Sequence, residues 1–467
     1  MSVRPLSVRG TRGGDGGSAH VDATEGGLRG RLPSPIELPV LWIAVLYLVA
    51  TGRWGSYVGV PGLPFYAGDI LLALATAQVA VVLHRRGTTL RDIGQALARA
   101  NMALLFSLSL LAWVILRGVL SIGSVLDDPL LGLRDAAPYA YAVAALLAFL
   151  LPAGGGARQR RVVYIVLTAH AAWVLLGQRL LGGSVDSFIL GGTPILTARP
   201  DFDSAVAGAA IAFSLYDLLL GRRPRRFWPV AAIVVLAVAN AVVIATLQTR
   251  AGLLAGVVGF GVVLLIWATR SGARQQGQTS RHMRLAVLFA SLAVLGAVVA
   301  VSPPGQRLLQ AVTGEESQAL GTVQVREFAW KGVTDYVLAD AKRTAIGVGF
   351  GPDFIQDAGI AYSLEGTEYK DVRSPHNYIL GTLARLGVAG ALLAVLTMAS
   401  GAFLAVRRLG GPADDATVLA ALLVLGLPIT ALLGVVLESP FGAIPYFWAI
   451  GQLARRGVSP EHQSAAV

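Results

Sequence analysis

One histidine and two arginines, at the boundaries of apolar runs, are the candidates for catalysis or ligand binding in this sequence. His376 lies in the stretch Ser-Pro-His-Asn-Tyr at 374–378, at the head of an apolar helix. The proline and asparagine beside it are typical of a helix start, where free backbone N–H groups favour anions. Arg250 lies in a tight turn between two apolar runs, and Arg326 opens the stretch Arg-Glu-Phe-Ala-Trp at 326–330.

These residue types suit a phosphorylated ligand and a proton transfer. An arginine guanidinium donates paired hydrogen bonds to phosphate and stays charged. An imidazole takes or gives a proton near neutral pH. Each residue also fits a structural role: His376 as a polar group at a membrane boundary, Arg250 extended toward lipid headgroups, and Arg326 in an ion pair.

Composition identifies a membrane protein. The chain of 467 residues is 55% hydrophobic and 14% charged, with a mean hydropathy of +0.64, whereas soluble chains carry about 25% charged residues. Cysteine is absent, which excludes disulfides, thiolate metal sites and a cysteine nucleophile. None of the six histidines has a partner at metal-ligand spacing, so we predict neither a metal nor another cofactor.

The apolar runs predict an all-α polytopic membrane protein with about twelve transmembrane helices. Residues 1–34 predict a disordered cytoplasmic tail rather than a signal peptide. Residues 35–455 are predicted to form the transmembrane domain, and 456–467 a second cytoplasmic tail. The predicted spans are 36–51, 65–83, 101–117, 135–151, 162–177, 202–220, 227–247, 251–269, 284–302, 376–405, 417–437 and 440–454.

The arginines gather in alternate loops, which indicates the orientation of the chain. If the N-terminus is cytoplasmic, every cytoplasmic segment is basic, and the opposite loops hold fewer basic residues and more acids. This explains the net charge of +11 better than nucleic-acid binding does. Both termini are therefore predicted to be cytoplasmic, and the large polar segment 302–375 before the tenth helix to be extracytoplasmic. Arg250, Arg326 and His376 then lie at the same outer face of the cytoplasmic (inner) membrane.

The outer segment has helical spacing in its central part and predicts one or two short helices on the membrane surface. The glycine-rich stretch 347–351 resembles a phosphate loop weakly, and we interpret it as a turn that lets the backbone approach the membrane surface. Arg385 follows His376 by nine residues, which on a helix is roughly 13 Å deeper and on the opposite face. As an intramembrane charge it is nevertheless a functional candidate. The expected apolar face of the surface helices comprises Val325, Phe328, Ala329, Val333, Tyr336 and Val337.

Four stretches in order resemble the O-antigen ligase and polymerase superfamily of bacterial membrane glycosyltransferases. They are an arginine motif at 249–254 that opens a transmembrane helix, the outer-loop pair Arg326 and Trp330, a glycine-rich stretch at 346–351, and the pair His376 and Asn377 followed by Gly-x-x-Gly at 387–390. The resemblance covers about residues 240–395. Many members carry an acidic residue near position 385, where this chain has arginine.

The resemblance implies an enzyme that moves a glycan from a polyprenyl-diphosphate carrier to a glycan, lipid or other surface acceptor outside the cytoplasmic membrane. Its partners are then lipid-linked glycan and membrane lipids, with no nucleic acid. His376 is the implied catalytic residue, as general base or acceptor positioner, and no metal is required. The predicted substrate-binding residues are Arg250 and Arg326, which hold the diphosphate, with Asn377, Arg373, Trp330 and Arg385.

Two alternatives stay open. The sequence does not separate a ligase from a polymerase in cell-surface polysaccharide assembly. A transporter or flippase of lipid-linked sugar is the alternative of another class, and it predicts internal repeats and broken spans with polar residues near mid-membrane. The chain shows no clear repeat, and its candidate polar groups lie at the outer boundary, so the glycosyltransferase is the favoured interpretation.

Overall fold

The computed structural model describes residues 39–56, 65–151, 157–177, 189–190, 193–194, 200–220, 227–270, 306, 317–360 and 373–455. Their regular structure is helical, apart from a short antiparallel pairing of β1 (Ile189–Leu190) with β2 (Thr193–Pro194). A π-helical turn, Trp173–Gly177, follows α8, and a 3₁₀ turn, Val436–Glu438, joins α16 to α17. The helices are α1 Val40–Ser56, α2 Ala67–Arg85, α3 Leu90–Ala98, α4 Met102–Leu120, α5 Ile122–Asp127, α6 Pro129–Ala140, α7 Val143–Leu150, α8 Ala157–Ala172, α9 Pro200–Leu220, α10 Phe227–Leu247, α11 Arg250–Arg270, α12 Ser317–Leu338, α13 Ala341–Ile346, α14 Phe354–Asp357, α15 Tyr378–Leu409, α16 Asp415–Ala431 and α17 Pro440–Ala454.

Six of the described helices are long and apolar enough to cross a membrane, namely α2, α4, α9, α10, α11 and α15. Helices α6 and α7, which are bent by 44° at their junction, add a seventh span if they are counted as one. Shorter apolar helices form in α1 and α16. The predicted count of about twelve is therefore not confirmed. The predicted span 284–302 and both predicted tails lie outside the described residues.

The interior of the bundle lies around α16 and α17. Every residue of α17 is buried, and most of α16 is buried as well. An α-helix that is apolar on all sides belongs inside a bundle, and α17 accordingly packs on α16, α7 and α1. Helices further out leave large apolar side chains exposed, such as Ile115 on α4 and Phe403 on α15, as expected for surfaces that meet lipid.

Three helices, α12 to α14, form in the segment that we predicted to be extracytoplasmic. Val333 and Val337 of α12 are fully buried in a small cluster with Phe354 of α14 and Ala384 of α15. The predicted apolar face is wrong at Phe328, which is 57% exposed, because at 100° per residue it points about 140° away from Val333. Packing of α12 and α14 on α15 brings this segment onto the start of the α15 span.

One end of the bundle is tied together by charged and polar pairs. Arg160 of α8 lies with its Nε atom 2.9 Å from both carboxylate oxygens of Asp415 at the start of α16. Tyr164, one turn further along α8, donates its hydroxyl to Asp217 of α9 at 2.8 Å. The candidate site lies at the opposite end, where α9, α11 and α15 begin.

Candidate active site

His376 stands in a short turn ahead of α15 that is held from two sides. Its φ angle is 53°, a left-handed conformation that is uncommon for residues with a side chain and that clusters at functional sites. The backbone N–H of His376 donates to the hydroxyl of Ser374 at 3.1 Å. Trp330 of α12 donates its indole N–H to the carbonyl of Pro375 at 2.7 Å. The predicted residue Trp330 therefore fastens α12 to the histidine turn.

The charge of His376 depends on its neighbours. Burial and the positive charge of Arg326 lower the pKa of His376 from its ordinary value near 6.5, and the Ser374 backbone opposes this shift. Burial and Arg326 therefore favour the neutral imidazole, which is the form that can accept a proton.

Asn377 caps helix α15. Its side-chain oxygen accepts from the backbone N–H groups of Ile379 at 3.0 Å and Leu380 at 3.1 Å. Asparagine is among the residues that helices prefer at this position. The cap fixes where α15 begins, and therefore how far the histidine turn stands from the first helical residue.

Arg373 and Arg385 share one buried carboxylate, that of Asp135 on α6. Oδ2 of Asp135 lies 2.7 Å from Nη1 of Arg385 and 3.1 Å from Nη2 of Arg373. It also accepts from the backbone N–H of Gly351 at 3.1 Å, and Arg373 donates to the Gly351 carbonyl at 2.7 Å. Both predicted substrate-binding arginines are therefore engaged with protein groups. That Arg385 and His376 lie on opposite helix faces stays a prediction.

The glycine-rich stretch 347–351 docks on a break in α15. The break lies at Gly387, where φ is 69°, and such a break frees carbonyls of the preceding turn. The freed carbonyls of Ala384 and Arg385 accept from Val348 N–H at 2.8 Å and Gly349 N–H at 3.0 Å. The carbonyl of Leu386 accepts from the indole of Trp113 at 2.9 Å. The close backbone approach that we expected toward the membrane surface is made to helix α15 instead.

Replacing Gly387 with alanine is expected to lower thermal stability, because a Cβ there would overlap the Ala345 carbonyl and because a positive φ is costly for alanine. We expect a loss of at least about 1–2 kcal/mol, seen as a lower thermal midpoint of the purified protein in detergent. Gly118→Ala on α4, where a Cβ meets nothing within 4 Å, is the matched control. Equal midpoints for the two variants would contradict the docking role of the α15 break.

Arg250 begins α11 at the same end of the bundle. The preceding hydroxyl of Thr249 lies 2.5 Å from that of Ser204 in the first turns of α9. In the same turn of α9, Asp201 lies against Gly434 in the connection from α16 to the 3₁₀ turn. Arg250 is half-buried, and it has no ion-pair partner within the part of the chain that the structure describes. Arg250 thus differs from the ion-paired Arg373 and Arg385, and its guanidinium is available to a ligand at this end of the bundle.

Glu438 meets the histidine turn from the α16–α17 connection. Its carboxylate oxygen Oε1 is inaccessible to solvent, lies against Gly381 of α15 as Pro375 of the histidine turn also does, and has no hydrogen-bond partner among the described residues. Burial raises the pKa of Glu438 to about 7, and Ser374 and Arg385 oppose this rise.

Sequence reasoning missed Ser374, Asp135 and Glu438. Asp135 lies within a predicted span, so an acid in an apolar run was the available signal for it. Ser374 lies at the end of the large polar segment and Glu438 in a short connection between two apolar runs, where polar residues are expected, and neither carries a comparable signal. Among the described residues, no group of three or more His, Cys, Asp or Glu could hold a metal ion.

The helices and this turn define a polytopic membrane protein with a neutral histidine and arginines at one end of its bundle. Residues 235–395 match the family model described as O-antigen ligase. The match confirms the resemblance to the O-antigen ligase and polymerase superfamily. With the apolar helices, it indicates a multi-pass inner-membrane protein of cell-surface polysaccharide assembly. The matched segment leaves out Asp135 and Glu438. No curated protein sequence matches the chain.

Proposed function

We propose that the protein transfers or polymerises a glycan linked to polyprenyl diphosphate onto an acceptor at the outer face of the inner membrane. The observation that carries this proposal is the His376 turn, whose backbone is left-handed at His376 and which is bound through Pro375 to Trp330 on the helix that carries Arg326. The family match supports a glycosyltransferase-like ligase or polymerase. The basic segments on the opposite side of the predicted spans support the outer location.

The proposed reaction is a displacement at the anomeric carbon of the donor glycan. The acceptor hydroxyl oxygen attacks that carbon, and the bond from the carbon to the diphosphate oxygen breaks with its electron pair staying on the diphosphate. His376 takes the hydroxyl proton on its accepting nitrogen. The guanidiniums of Arg250 and Arg326 hold the leaving diphosphate and stabilise the charge that grows there.

The other predicted binding residues have supporting parts in this proposal. Trp330 and Asn377 fix the histidine turn through the Pro375 carbonyl and the start of α15. Arg373 and Arg385 contribute a positive field, since they share a single carboxylate between them. Direct contact of these four residues with the glycan remains a prediction.

Replacing either Arg326 or Arg250 with alanine is expected to raise the KM for the lipid-linked donor. A charge-assisted hydrogen bond contributes about 1.5–3 kcal/mol, so each change should raise KM roughly 10- to 100-fold. The measurement is initial-rate transfer by purified protein in liposomes, with donor and acceptor from the producing cell. Longer carrier-linked chains identify a polymerase, and glycan on a different acceptor identifies a ligase.

Two exposed cations provide matched controls. Lys331 lies on the same helix as Arg326, and Arg91 lies on α3 at the other end of the predicted spans. Their alanine variants should keep the donor KM of the unmodified protein. An unchanged donor KM in both Arg250→Ala and Arg326→Ala would refute the diphosphate assignment. Carrier movement between leaflets without any transfer product would favour the transporter.

A further inference from the structure

We propose that Ser204 of α9 is a positioning residue for Arg250 and acts through the hydroxyl of Thr249. This inference deepens the proposed function and rests on it, because Arg250 is assigned there to the donor diphosphate. The family match begins at residue 235, so Ser204 lies outside it. The two residues are linked by the contact between α9 and the turn that leads into α11.

The turn ahead of Arg250 has a strained backbone. Gln248 has a φ angle of 53°, and among the described residues other than glycine only His376 shares a positive φ. Such a conformation is uncommon for a residue with a side chain and persists only where its surroundings enforce it. On the α10 side, the backbone N–H of Gln248 donates to the Ile244 carbonyl at 3.1 Å. On the α11 side, the turn is held through Thr249.

The hydroxyls of Ser204 and Thr249 form a hydrogen bond with a defined direction. Ser204 donates its one proton to the carbonyl of Pro200, one turn earlier in α9. A lone pair of the Ser204 oxygen therefore accepts the proton of the Thr249 hydroxyl, 2.5 Å away. The Thr249 hydroxyl also lies 3.4 Å from the Pro200 carbonyl. Both contacts of Thr249 thus go to the first turns of α9, where Ser204 is fully buried.

Glycines bring the two helices close enough for this bond. A Cβ atom at Gly252 of α11 would overlap the Ser204 hydroxyl, and one turn further a Cβ atom at Gly208 of α9 would overlap the backbone of Gly256. Small residues at such spacing let the backbones of membrane helices approach closely. Ser204 therefore has little room to follow Thr249 if the turn moves.

The first turn of α9 is also fixed to helices other than α11. The carboxylate of Asp203 lies 3.2 Å from Nε2 of His170 on α8, and both side chains are buried. The same carboxylate lies against Gly52 of α1, where a Cβ atom would overlap it. The constraint therefore runs from α9, which is held from several sides, to the turn before α11.

Arg250 depends on this constraint because no ion pair holds its side chain within the described residues. Arg373 and Arg385, by contrast, are held by the carboxylate of Asp135. Arg250 directly follows Thr249 and is half-buried. The place where α11 begins therefore sets the position of the Arg250 guanidinium. A guanidinium that is already in place loses less conformational entropy when it binds a phosphate.

The test compares Ser204→Ala, Thr249→Val and Thr249→Ser in the liposome transfer assay. Valine keeps the shape of threonine without its hydroxyl, whereas serine keeps the hydroxyl. Loss of one hydrogen bond should raise the donor KM roughly 3- to 10-fold in Ser204→Ala and Thr249→Val. The KM of Thr249→Ser should stay within about twofold of that of the unmodified protein. The kcat should also change less than about twofold in all three variants, because the histidine turn is untouched.

Two further variants separate positioning from helix packing. Ser214→Ala is the matched control, because Ser214 is also buried on α9 and donates to the carbonyl one turn earlier at 2.8 Å, without a hydrogen bond to another described helix. Its donor KM should not change. Ser204→Ala combined with Arg250→Ala should raise the KM no further than Arg250→Ala alone, since Ser204 acts only through Arg250.

Four results would overturn the inference while the donor role of Arg250 stands. They are an unchanged donor KM in Ser204→Ala and Thr249→Val beside a raised one in Arg250→Ala, an equal rise in Ser214→Ala, multiplying losses in the combined variant, and a rise in KM that only parallels a lower thermal midpoint. An unchanged KM in Arg250→Ala is a different failure, because it overturns the donor contact of Arg250 together with the role of Ser204.

Discussion

Replacing His376 with asparagine is expected to lower kcat for glycan transfer by roughly 10³-fold, because a positioned general base contributes about 10²–10⁴ in rate. Asparagine tolerates the left-handed backbone at this position better than most residues, so the turn should persist without its base. The measurement is transfer by purified protein in liposomes, with the thermal midpoint recorded for the same preparation. The midpoint should stay close to that of the unmodified protein.

The exposed His84 at the end of α2 offers a matched control, and His84→Asn should keep full activity. Substantial transfer by His376→Asn would show that another group takes the acceptor proton. Loss of activity together with a collapse of the thermal midpoint would instead indicate a structural role for the histidine.

The pH dependence of transfer gives a second measure of the same prediction. His376 must be unprotonated to accept a proton, so activity should be lost as the pH falls through its pKa. Burial and Arg326 lower that pKa from 6.5, which places the acid limb of the rate profile below pH 6.5. Arg326→Ala removes a charge that disfavours protonation, and the limb should then move to higher pH. A limb that does not respond to Arg326 would contradict the electrostatic effect of Arg326 on His376.

Replacing Asp135 with alanine is expected to destabilise the fold more than any other single change considered. Arg385 and Asp135 are each only 6% exposed at the side chain, and Arg373 is 18% exposed. Removing the shared carboxylate leaves buried positive charge without compensation, which typically costs about 3–5 kcal/mol. We expect a much lower thermal midpoint in detergent and a reduced yield of folded protein.

A double variant tests this explanation. Asp135→Leu with Arg385→Met removes both members of the closest pair, and replacing a buried ion pair by apolar residues is often neutral. It should recover part of the stability lost in Asp135→Ala, because Arg373 keeps a second carboxylate, that of Asp353, whose Oδ2 lies 3.7 Å from its Nη1 atom. Asp127→Asn, at an exposed carboxyl near the end of α5, should leave the midpoint unchanged. Equal thermal midpoints for Asp135→Ala and Asp127→Asn would show that the ion pairs of Asp135 do not hold the 347–351 stretch to α6 and α15.

The sequence alone determined the long apolar helices and the order of the site motifs. Apolar runs of membrane length are local, and each predicted span within the described residues coincides with one helix or a bent pair. The resemblance included Arg326 and Trp330 in the predicted site as an outer-loop pair, although their spacing along the chain does not imply contact with the histidine turn.

Only the tertiary structure decided what holds the site in place. Asp135 pairs with arginines more than 200 positions away, and Glu438 lies against Gly381 near the start of α15 although α16 comes between them in the chain. Such contacts depend on how helices pack and leave no periodic trace in the sequence. The same reason explains the docking of the glycine-rich stretch on α15, whereas the error at Phe328 concerned the helical angle, which local periodicity determines. Local periodicity defines each helix, but the partners of its polar groups are set by which helices become neighbours.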